Sequence, residues 1–263
     1  MEKWSLIKLG GSVITDKNVP FKAREKEVLR LAKDIRYILR NSSAKCIIAH
    51  GSGSFGHTVA SKYKTHLGII NKDSVYGAAL VSDAAIKINR IVIENFLKAG
   101  LPAVSFSPAS FILSRNQKPQ SVNIKPFIVA LKNGFIPVVY GDVVFDAKNG
   151  FCIYSGEKTL NTIALKLKDK NKRITLIQCG DTNGVYDNSG MTIRKITEQS
   201  FGKYRASIGG SSKTDVTGGM LHKIQEALKM SQKGVKTIII NGNTKKELVN
   251  TVLFHKYKGT LVA

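Results

Sequence analysis

The chain has 263 residues, of which 43% are hydrophobic, enough to bury the core of one large α/β domain or of two lobes that share a sheet. Its 41 lysines and arginines against 18 acidic residues give a net charge of +23. Such a charge indicates an anionic partner, anionic small substrates or a strongly basic cellular proteome, and does not choose among them. The longest apolar runs, such as Ile238-Ile239-Ile240, are far shorter than the roughly 18 residues of a membrane span, and no signal-peptide pattern follows Met1. We therefore expect a cytoplasmic protein that does not cross a membrane.

Three cysteines, Cys46, Cys152 and Cys179, lie in separate apolar runs without C-x-x-C spacing. This pattern is typical of buried thiols in a reducing compartment, so we expect no zinc and assign no metal-ligating residue. The densest basic run, residues 166–173, is typical of a solvated helix end. Nucleic-acid binding is not expected, because no RNP-like aromatic motif or zinc-finger spacing accompanies the charge.

Short apolar strands alternate with helices in the first half of the chain. The predicted strands are 6–9, 46–49, 103–106 and 136–139, and the predicted helices are 24–40, 74–99 and 124–133. This alternation predicts βαβ units and an α/β fold with a mostly parallel sheet covered on both faces.

In the second half, an Asn149-Gly150 hairpin turn separates two further predicted strands. The predicted elements are strands 143–145 and 151–154, helix 158–168, strand 174–178, helix 220–233, strand 237–240 and helix 245–254. The basic, polar stretch near 168–173 is the only candidate lobe boundary. It predicts an N-terminal lobe over residues 1–170 and a C-terminal lobe over 171–263.

The first predicted strand ends in Lys8-Leu9-Gly10-Gly11-Ser12. Paired glycines let the backbone approach a bound group closely, and their N–H groups can point at phosphate oxygens. Lys8 at the strand end could supply positive charge to a transferring phosphoryl group, and Lys17 follows a few residues later. The same residues also suit a tight β-to-α turn with two surface lysines.

The second loop, residues 50–57, reads His-Gly-Ser-Gly-Ser-Phe-Gly-His. Its glycines fit G-x-G-x-x-G, and Asp73 lies at the spacing of a ribose contact, which would indicate a dinucleotide site. The P-loop frame also fits, except that His57 and Thr58 stand where Lys and Ser or Thr are required. Both patterns share glycine-lined amides at a helix N-terminus, so the loop predicts a bound phosphate, with His57 either as a donor to it or simply as a helix-start residue.

A third glycine pair, Gly218-Gly219, follows Thr214-Asp215-Val216-Thr217 and opens a predicted helix with Lys223 one turn in. This again predicts an anion at a helix N-terminus. Upstream, the run 180–187 follows a predicted strand, and its acidic and amide side chains suit a turn, a ribose or metal-bound water. Its Asn183-Gly184 pair is typical of a turn.

Taken in order, these segments resemble the isopentenyl phosphate kinases of the amino acid kinase superfamily over nearly the whole chain. The segments are Lys8 to Ser12 with Lys17, Gly51 to His57, Tyr140-Gly141-Asp142, Ser155-Gly156-Glu157 and Asp215 to Met220. The resemblance implies an αβα sandwich that uses ATP and Mg²⁺ to convert isopentenyl phosphate to isopentenyl diphosphate for isoprenoid synthesis. It also implies a homodimer, since relatives of this fold commonly pair.

The same resemblance implies roles for individual residues. The residues that would contact ATP are Lys8, Gly10, Gly11, Ser12, Ser52, Asp181, Gly219 and Lys223, and those that would hold the acceptor phosphate are Gly51, Gly56, His57 and Gly156. Catalysis would rest on Lys8, Lys17 and His57. For the hydrocarbon tail we expect a pocket among Tyr76, Leu80, Val81, Ile86 and Phe106, which are also ordinary core residues.

The chain departs from the family pattern at two places. Ser155-Gly156-Glu157 replaces a frequent Ser-Gly-Asp, which lengthens a carboxylate near the acceptor. Residues 180–184 read Gly-Asp-Thr-Asn-Gly in place of Thr-Asp-x-Asp-Gly, which removes a negative charge near ATP.

Three alternatives stay open from the sequence. The first keeps the fold and changes the acceptor to fosfomycin or to another phosphate or carboxylate. The second is an NAD-dependent oxidoreductase that uses the second loop, and the third is a basic nucleic-acid-binding or regulatory protein without catalysis.

Overall fold

The structure, a computed structural model, describes residues 1–208 and 219–263. Its strands, in chain order, are β1 (Glu2–Leu9), β2 (Lys45–His50), β3 (Ala103–Phe106), β4 (Ile112–Arg115), β5 (Lys118–Val122), β6 (Ile136–Tyr140), β7 (Asp142–Asp146), β8 (Gly150–Tyr154), β9 (Lys172–Gly180), β10 (Lys195–Ile196), β11 (Lys236–Asn241) and β12 (Thr260–Val262). Its helices are α1 (Gly11–Ile14), α2 (Glu25–Arg40), α3 (Gly53–Tyr63), α4 (Ser74–Lys98), α5 (Lys125–Lys132), α6 (Gly156–Leu167), α7 (Glu198–Ile208), α8 (Gly219–Gln232) and α9 (Glu247–Phe254).

The main sheet has eight strands in the order β10-β12-β11-β9-β1-β2-β6-β3. Strand β1 lies near its centre and pairs in parallel with both β2 and β9, while β12 runs antiparallel to β11. The predicted mostly parallel sheet is therefore confirmed. Because parallel strands require long crossover connections, helices cover the two faces of this sheet.

Alternate residues of β1 point to opposite faces of the sheet, as the two-residue period of a strand requires. Ile7 and Leu9 join a core formed with α2, α3, α4 and α9. Trp4 and Leu6 join a second core formed with α5, α6 and α8. The two cores make the helical layers of an αβα sandwich, which confirms the fold that the resemblance implies.

A smaller sheet of four strands, in the order β5-β4-β7-β8, lies beside the first. Strands β7 and β8 form the predicted hairpin, and Gly150 adopts φ +77° at its turn, a conformation that favours glycine. Val143 and Phe151 of this hairpin pack against Ala78 and Val81 of α4. The small sheet thereby covers the helices that follow the second glycine loop.

Both predicted lobes contribute strands to the main sheet, since β9 from the second half pairs along the length of β1. The division into residues 1–170 and 171–263 stays a prediction. None of the helices in the described part of the chain combines the length and the hydropathy needed to span a bilayer.

Candidate active site

The carboxyl ends of the central strands bring the glycine loops to one edge of the sheet. Leu9, the last residue of β1, pairs with His50 of β2 and with Cys179 of β9. Just beyond these residues, Gly10 donates its N–H to the Cys179 carbonyl at 2.8 Å, and Gly51 donates to the Leu9 carbonyl at 3.1 Å. Ligands of open α/β sheets bind at this edge, so the predicted phosphate loops converge where a nucleotide is expected.

The first glycine pair is required by close backbone approach. A Cβ added at Gly10 would lie 2.6 Å from the Cys179 carbonyl oxygen, and one at Gly11 would lie 2.7 Å from Cα of Gly53. Real side chains do not tolerate such separations from backbone atoms. The first loop, which opens the short helix α1, is therefore in direct contact with the second loop.

The second loop has the backbone conformation of an anion-binding nest at Ser52 and Gly53. Ser52 lies in the right-handed helical region with φ −78° and ψ −16°, and Gly53 follows with φ +52°. Successive right- and left-handed residues turn their N–H groups toward one point and make an anion-binding nest. The hydroxyl of Thr15 accepts the Ser54 N–H at 3.0 Å and donates to the Gly11 carbonyl at 2.7 Å, which fixes the nest against the first loop.

Gly51, Gly56 and His57, the predicted acceptor residues of this loop, lie at the start of α3. A Cβ at Gly56 would collide with the Ser52 side chain, so Ser52 packs directly over the first turn of the helix. His57 lies on the exposed side of that turn. The N-terminus of α3 adds a partial positive charge to the loop, which favours a bound anion.

Gly156, also predicted to hold the acceptor, lies at the start of α6 and packs against His50 at the end of β2. A Cβ there would collide with the His50 carbonyl, which already accepts the Gly141 N–H at 3.0 Å. Gly156 begins α6, and the Ser155 hydroxyl caps that helix by accepting the Lys158 N–H at 3.1 Å. The N-termini of α3 and α6 therefore both lie close to His50.

Lys8 lies at the carboxyl end of β1, beside the first glycine loop, where a cleft for the phosphates is expected. Burial lowers the pKa of its ammonium group, and the nearby Glu157 carboxylate acts in the opposite direction. Lys223 and Asp181 also act on it electrostatically. Lys8, Lys223 and Asp181, which the family resemblance assigns to ATP, therefore lie close enough to interact electrostatically.

Lys17 and Asp181 form a salt bridge of 2.8 Å between the segments that follow α1 and β9. Burial raises the pKa of Asp181, but its hydrogen bond and charge interaction with Lys17 outweigh that effect and leave the pKa below its ordinary value. Asp181 is therefore ionised at neutral pH and holds the Lys17 ammonium near the mouth of the cleft.

Lys223 lies in the first turns of α8, which begins at Gly219 with φ +64°. The preceding part of the predicted motif, residues 214–218, lies outside the described residues. On the neighbouring turn, Gly184 adopts φ +90°, where an added Cβ would press on the Thr260 backbone. The turn predicted at Asn183-Gly184 is confirmed.

Two groups at this site were not among the predicted site residues. Glu157 exerts the largest attractive charge effect on Lys8, although the sequence marks it only as a departure from a pattern. His50 is fully buried beneath the second loop and bonds to Asn89, 39 residues away. No local pattern reveals that contact, because α3 and much of α4 separate the two residues along the chain.

Comparison with known proteins agrees with this geometry. A sequence profile described as the amino acid kinase family matches residues 3–241. The chain belongs to the amino acid kinase family. It is 33% identical over 267 residues to the isopentenyl phosphate kinase of Methanothermobacter thermautotrophicus, with 98% of each chain covered. It is also 33% identical over 260 residues to the isopentenyl phosphate kinase of Methanocaldococcus jannaschii, with 95% of each covered.

A solved structure described as isopentenyl phosphate kinase superposes with a TM-score of 0.82 at 29% identity, covering 99% of this chain and 100% of the other. These findings confirm the predicted family and a phosphotransferase activity. Because the relatives are kinases, the alternative of an NAD-dependent oxidoreductase is wrong. The fold gives the reason, since Asp73 lies exposed just before α4 rather than at the end of the strand that would follow a dinucleotide loop.

Proposed function

We propose that this protein transfers the γ-phosphoryl group of ATP to isopentenyl phosphate and so makes isopentenyl diphosphate for isoprenoid synthesis. The single observation that carries the proposal is the contact between the two glycine loops, with Gly11 packed directly on Gly53. Two anion-binding loops that touch can hold a donor and an acceptor phosphate end to end. The identity of 33% to two isopentenyl phosphate kinases supports this acceptor.

Phosphoryl transfer to a phosphate monoester requires neutralisation of charge rather than abstraction of a proton. The second pKa of a phosphate monoester is about 6, so an acceptor oxygen is mostly ionised at neutral pH and needs no general base. Two anions must nevertheless be brought together, and fixed positive groups lower that barrier most effectively in a partly dehydrated cleft. Lys8, Lys17 and Lys223 would offset the charge of the phosphates, and His57 would hold the acceptor phosphate.

The glycine loops also fit the phosphates of ATP. Gly10 and Gly11 pack so closely against Cys179 and Gly53 that no side chain fits at either position. The first turn of the adjoining helix α1 leaves amide donors without intrahelical partners, which suits a bound phosphate. We assign the ATP side to Lys8, Gly10, Gly11, Ser12, Ser52, Asp181, Gly219 and Lys223. The lobe of residues 1–170 would then bind the acceptor, and the lobe of residues 171–263 would supply most of the remaining ATP contacts.

Magnesium would be held chiefly by the phosphates themselves. Within residues 1–208 and 219–263, no three acidic, histidine or cysteine side chains converge on one point. Mg²⁺ commonly uses one or two carboxylates together with substrate phosphates and water, and Asp181 is the carboxylate that suits this role. When bound, the ion would neutralise phosphate charge.

The apolar tail of the acceptor would lie in the cluster between α3, α4 and the β7–β8 hairpin. Val59 and Ala60 follow His57 by about one turn of α3, and they pack with Val81, Val143 and Phe151. Tyr76 and Ile86, which the sequence also suggests for the tail, are exposed. We therefore place the tail beside Val81.

We also infer a homodimer in the cytoplasm. Strand β3 is an outer strand of the main sheet, and beside it Val129 and Phe135 expose 59% and 48% of their surface. Among the described strands, none pairs with the outer edge of β3, and such an edge next to exposed apolar side chains suits a second copy of the chain. The three cysteines are free and buried, as expected in a reducing compartment. Sedimentation of the wild type and of Val129→Glu tests the dimer, which should dissociate in the variant.

An acceptor panel tests the proposed activity. Purified protein with ATP and Mg²⁺ would be given isopentenyl phosphate, dimethylallyl phosphate, fosfomycin or glutamate, and the products identified by mass. We expect the highest kcat/KM with isopentenyl phosphate. A higher value with fosfomycin or with the carboxylate would transfer the proposal to that acceptor, and salt-sensitive RNA binding without ATP turnover would favour the non-catalytic alternative.

A further inference from the structure

His50 is a buried titratable residue that the proposed reaction does not use. It ends β2, is 0% exposed, and stacks on the Tyr140 ring with the centroids 5.7 Å apart. Its backbone carbonyl contacts Gly141 and Gly156, while the residue after it opens the second glycine loop. The side chain therefore lies directly beneath the loop that the proposed function places around the phosphates.

Both ring nitrogens of His50 have partners that define its tautomer. Nδ1 lies 3.0 Å from the Gly51 carbonyl oxygen, and Nε2 lies 3.1 Å from Nδ2 of Asn89. A carbonyl can only accept and an amide NH₂ can only donate, so Nδ1 carries the proton and Nε2 accepts. The Ser105 hydroxyl donates to Oδ1 of Asn89 at 2.7 Å, which sets the orientation of that amide.

The ring stays neutral at physiological pH. Burial, helped by the charge of Lys8, lowers the pKa of His50 to about 4, although the bond to Gly51 opposes this shift. A neutral ring has a single N–H. That N–H is directed at the Gly51 carbonyl by a chain of hydrogen bonds that runs from β3 through α4 to the end of β2.

The position of the Gly51 carbonyl determines the direction of the next amide. A trans peptide is planar and points its C=O and N–H to opposite sides. Because the Gly51 carbonyl faces the His50 ring, the Ser52 N–H faces away from it, into the nest formed by Ser52 and Gly53. Within residues 1–208 and 219–263, the Ser52 N–H has no hydrogen-bond acceptor, so it is available to a ligand.

We propose that His50 is a positioning residue for phosphoryl transfer: its Nδ1–H holds the Gly51–Ser52 peptide in the orientation that presents the Ser52 N–H to the transferring phosphoryl group. The inference rests on the proposed function, and it adds a residue that makes no contact with substrate itself. If the peptide turned over, a carbonyl oxygen would face the phosphates in place of a donor, and the two anions would lose stabilisation where they meet.

Two substitutions of similar size separate this role from simple packing. In His50→Asn the side-chain nitrogen lies as many bonds from Cα as Nδ1 does, so a donor to the Gly51 carbonyl is retained. In His50→Gln the amide reaches the position of Nε2 instead, so that donor is lost. We expect His50→Gln to lower kcat at least about tenfold with KM for ATP and acceptor within about twofold, since loss of one oriented donor to developing charge costs about 10²–10³ in kcat.

His50→Asn should keep kcat within about threefold of the wild type. Both variants lose a buried ring, so they should have similar melting temperatures. Equal losses of kcat in the two variants, or an effect of His50→Gln on KM alone, would overturn the proposal. Both variants can be assayed with whichever acceptor the panel identifies as the substrate.

A measurement on the unmodified protein is independent of turnover. Nitrogen-15 NMR should show His50 with a protonated Nδ1 and an unprotonated Nε2 at pH 7, and inorganic phosphate should shift the Ser52 amide resonance. If the wild type phosphorylates no acceptor, the proposed function is wrong, while the Ser52 resonance still decides the role of His50. A protonated Nε2, or a Ser52 resonance that phosphate does not move, would overturn the inference.

Discussion

Nζ of Lys17 lies 2.8 Å from Oδ2 of Asp181, so a salt bridge joins the segment after α1 to the segment after β9 across 164 positions of sequence. The two side chains are 63% and 45% exposed, and pairs of this kind contribute only about 0–1 kcal/mol to stability. The importance of the pair lies in its location at the mouth of the cleft. A phosphate that enters the cleft would compete with Asp181 for the Lys17 ammonium.

Replacing Lys17 by Met should therefore affect catalysis far more than stability. We expect kcat to fall at least about 100-fold, because one fixed charge near the transferring group is lost, while the melting temperature changes little. Lys22→Met, the matched control, removes an exposed lysine that pairs with Asp16 outside the predicted site and should leave kcat near the wild-type value. Steady-state release of ADP measures both, and a Lys17→Met variant that keeps half of the wild-type kcat would remove Lys17 from the site.

His57→Ala should raise KM for the acceptor phosphate or lower kcat by about 10- to 100-fold, since hydrogen bonds to charged groups contribute about 1.5–3 kcal/mol. KM for ATP should change little. His66→Ala, an exposed histidine in the turn after α3, is the control and should behave as the wild type. Normal acceptor kinetics in the His57 variant would show that His57 only begins a helix.

Glu157 favours the charged form of Lys8. Burial lowers the pKa of Lys8 and Glu157 counteracts that shift, so removal of the carboxylate should lower the pKa further. Lys8 acts in its protonated form, and the alkaline limb of the kcat profile should therefore move to lower pH in Glu157→Gln. Glu157→Asp retains the charge and should keep the limb near its wild-type position. Superimposable profiles for wild type and Glu157→Gln would exclude this coupling.

Asp146 ties the β4–β5 hairpin to β7. Its carboxylate accepts the backbone N–H groups of Asn116, Gln117, Lys148 and Asn149 and the Ser114 hydroxyl at 2.7 to 3.0 Å. Burial raises its pKa, but the hydrogen bonds from Gln117, Asn149, Lys148 and Ser114 outweigh burial and hold the pKa far below the ordinary value. Its contribution to stability is thus present above the ordinary pKa of about 4 and is lost as the pH falls below it.

Asp146→Asn places an amide NH₂ against backbone N–H groups, which can only donate. We expect the free energy of unfolding at pH 7 to fall by about 2–4 kcal/mol, since a buried donor without an acceptor is costly. Asp83→Asn breaks only an exposed pair with Lys87 and should cost less than about 1 kcal/mol. Urea unfolding at pH 7 measures the difference, and equal losses in the two variants would contradict it.

Val81→Ala should enlarge the proposed tail pocket and raise kcat/KM for longer isoprenyl phosphates relative to isopentenyl phosphate. A deleted buried side chain leaves space that a longer chain can fill. Ile86→Ala removes a 44% exposed side chain of the same helix and should leave the preference unchanged. The ratio of kcat/KM values for geranyl phosphate and isopentenyl phosphate decides this point, and an unchanged ratio in Val81→Ala would move the tail elsewhere.

Local periodicity was sufficient to predict most of the central fold. Strand β3 has the predicted bounds of residues 103–106, and α2 and α4 differ by a single residue from the predicted 24–40 and 74–99. The β4–β5 hairpin was missed because β5 is almost wholly exposed and contains Pro119, so neither apolar alternation nor β-branched enrichment marks it.

The candidate site likewise contains residues that the sequence predicts and residues that it does not. Gly10, Gly11, Gly51 and Gly56 are recognisable because a strand followed at once by glycines is a short-range pattern, and the structure brings all four together. The role of His50 depends instead on Asn89 and Ser105, whose contacts form only when β3, α4 and β2 pack. Sequence separation conceals such contacts, because nothing adjacent to His50 indicates its partners.

The central claim is that two phosphates meet in one cleft and that a phosphoryl group passes between them. Phosphorus-31 NMR of the protein with Mg²⁺, ATP and isopentenyl phosphate tests it most directly. The account predicts that the acceptor monophosphate signal is replaced by the paired signals of a diphosphate as ADP appears in equal amount. ADP accompanied only by inorganic phosphate, or an unchanged acceptor signal with ATP intact, would contradict it.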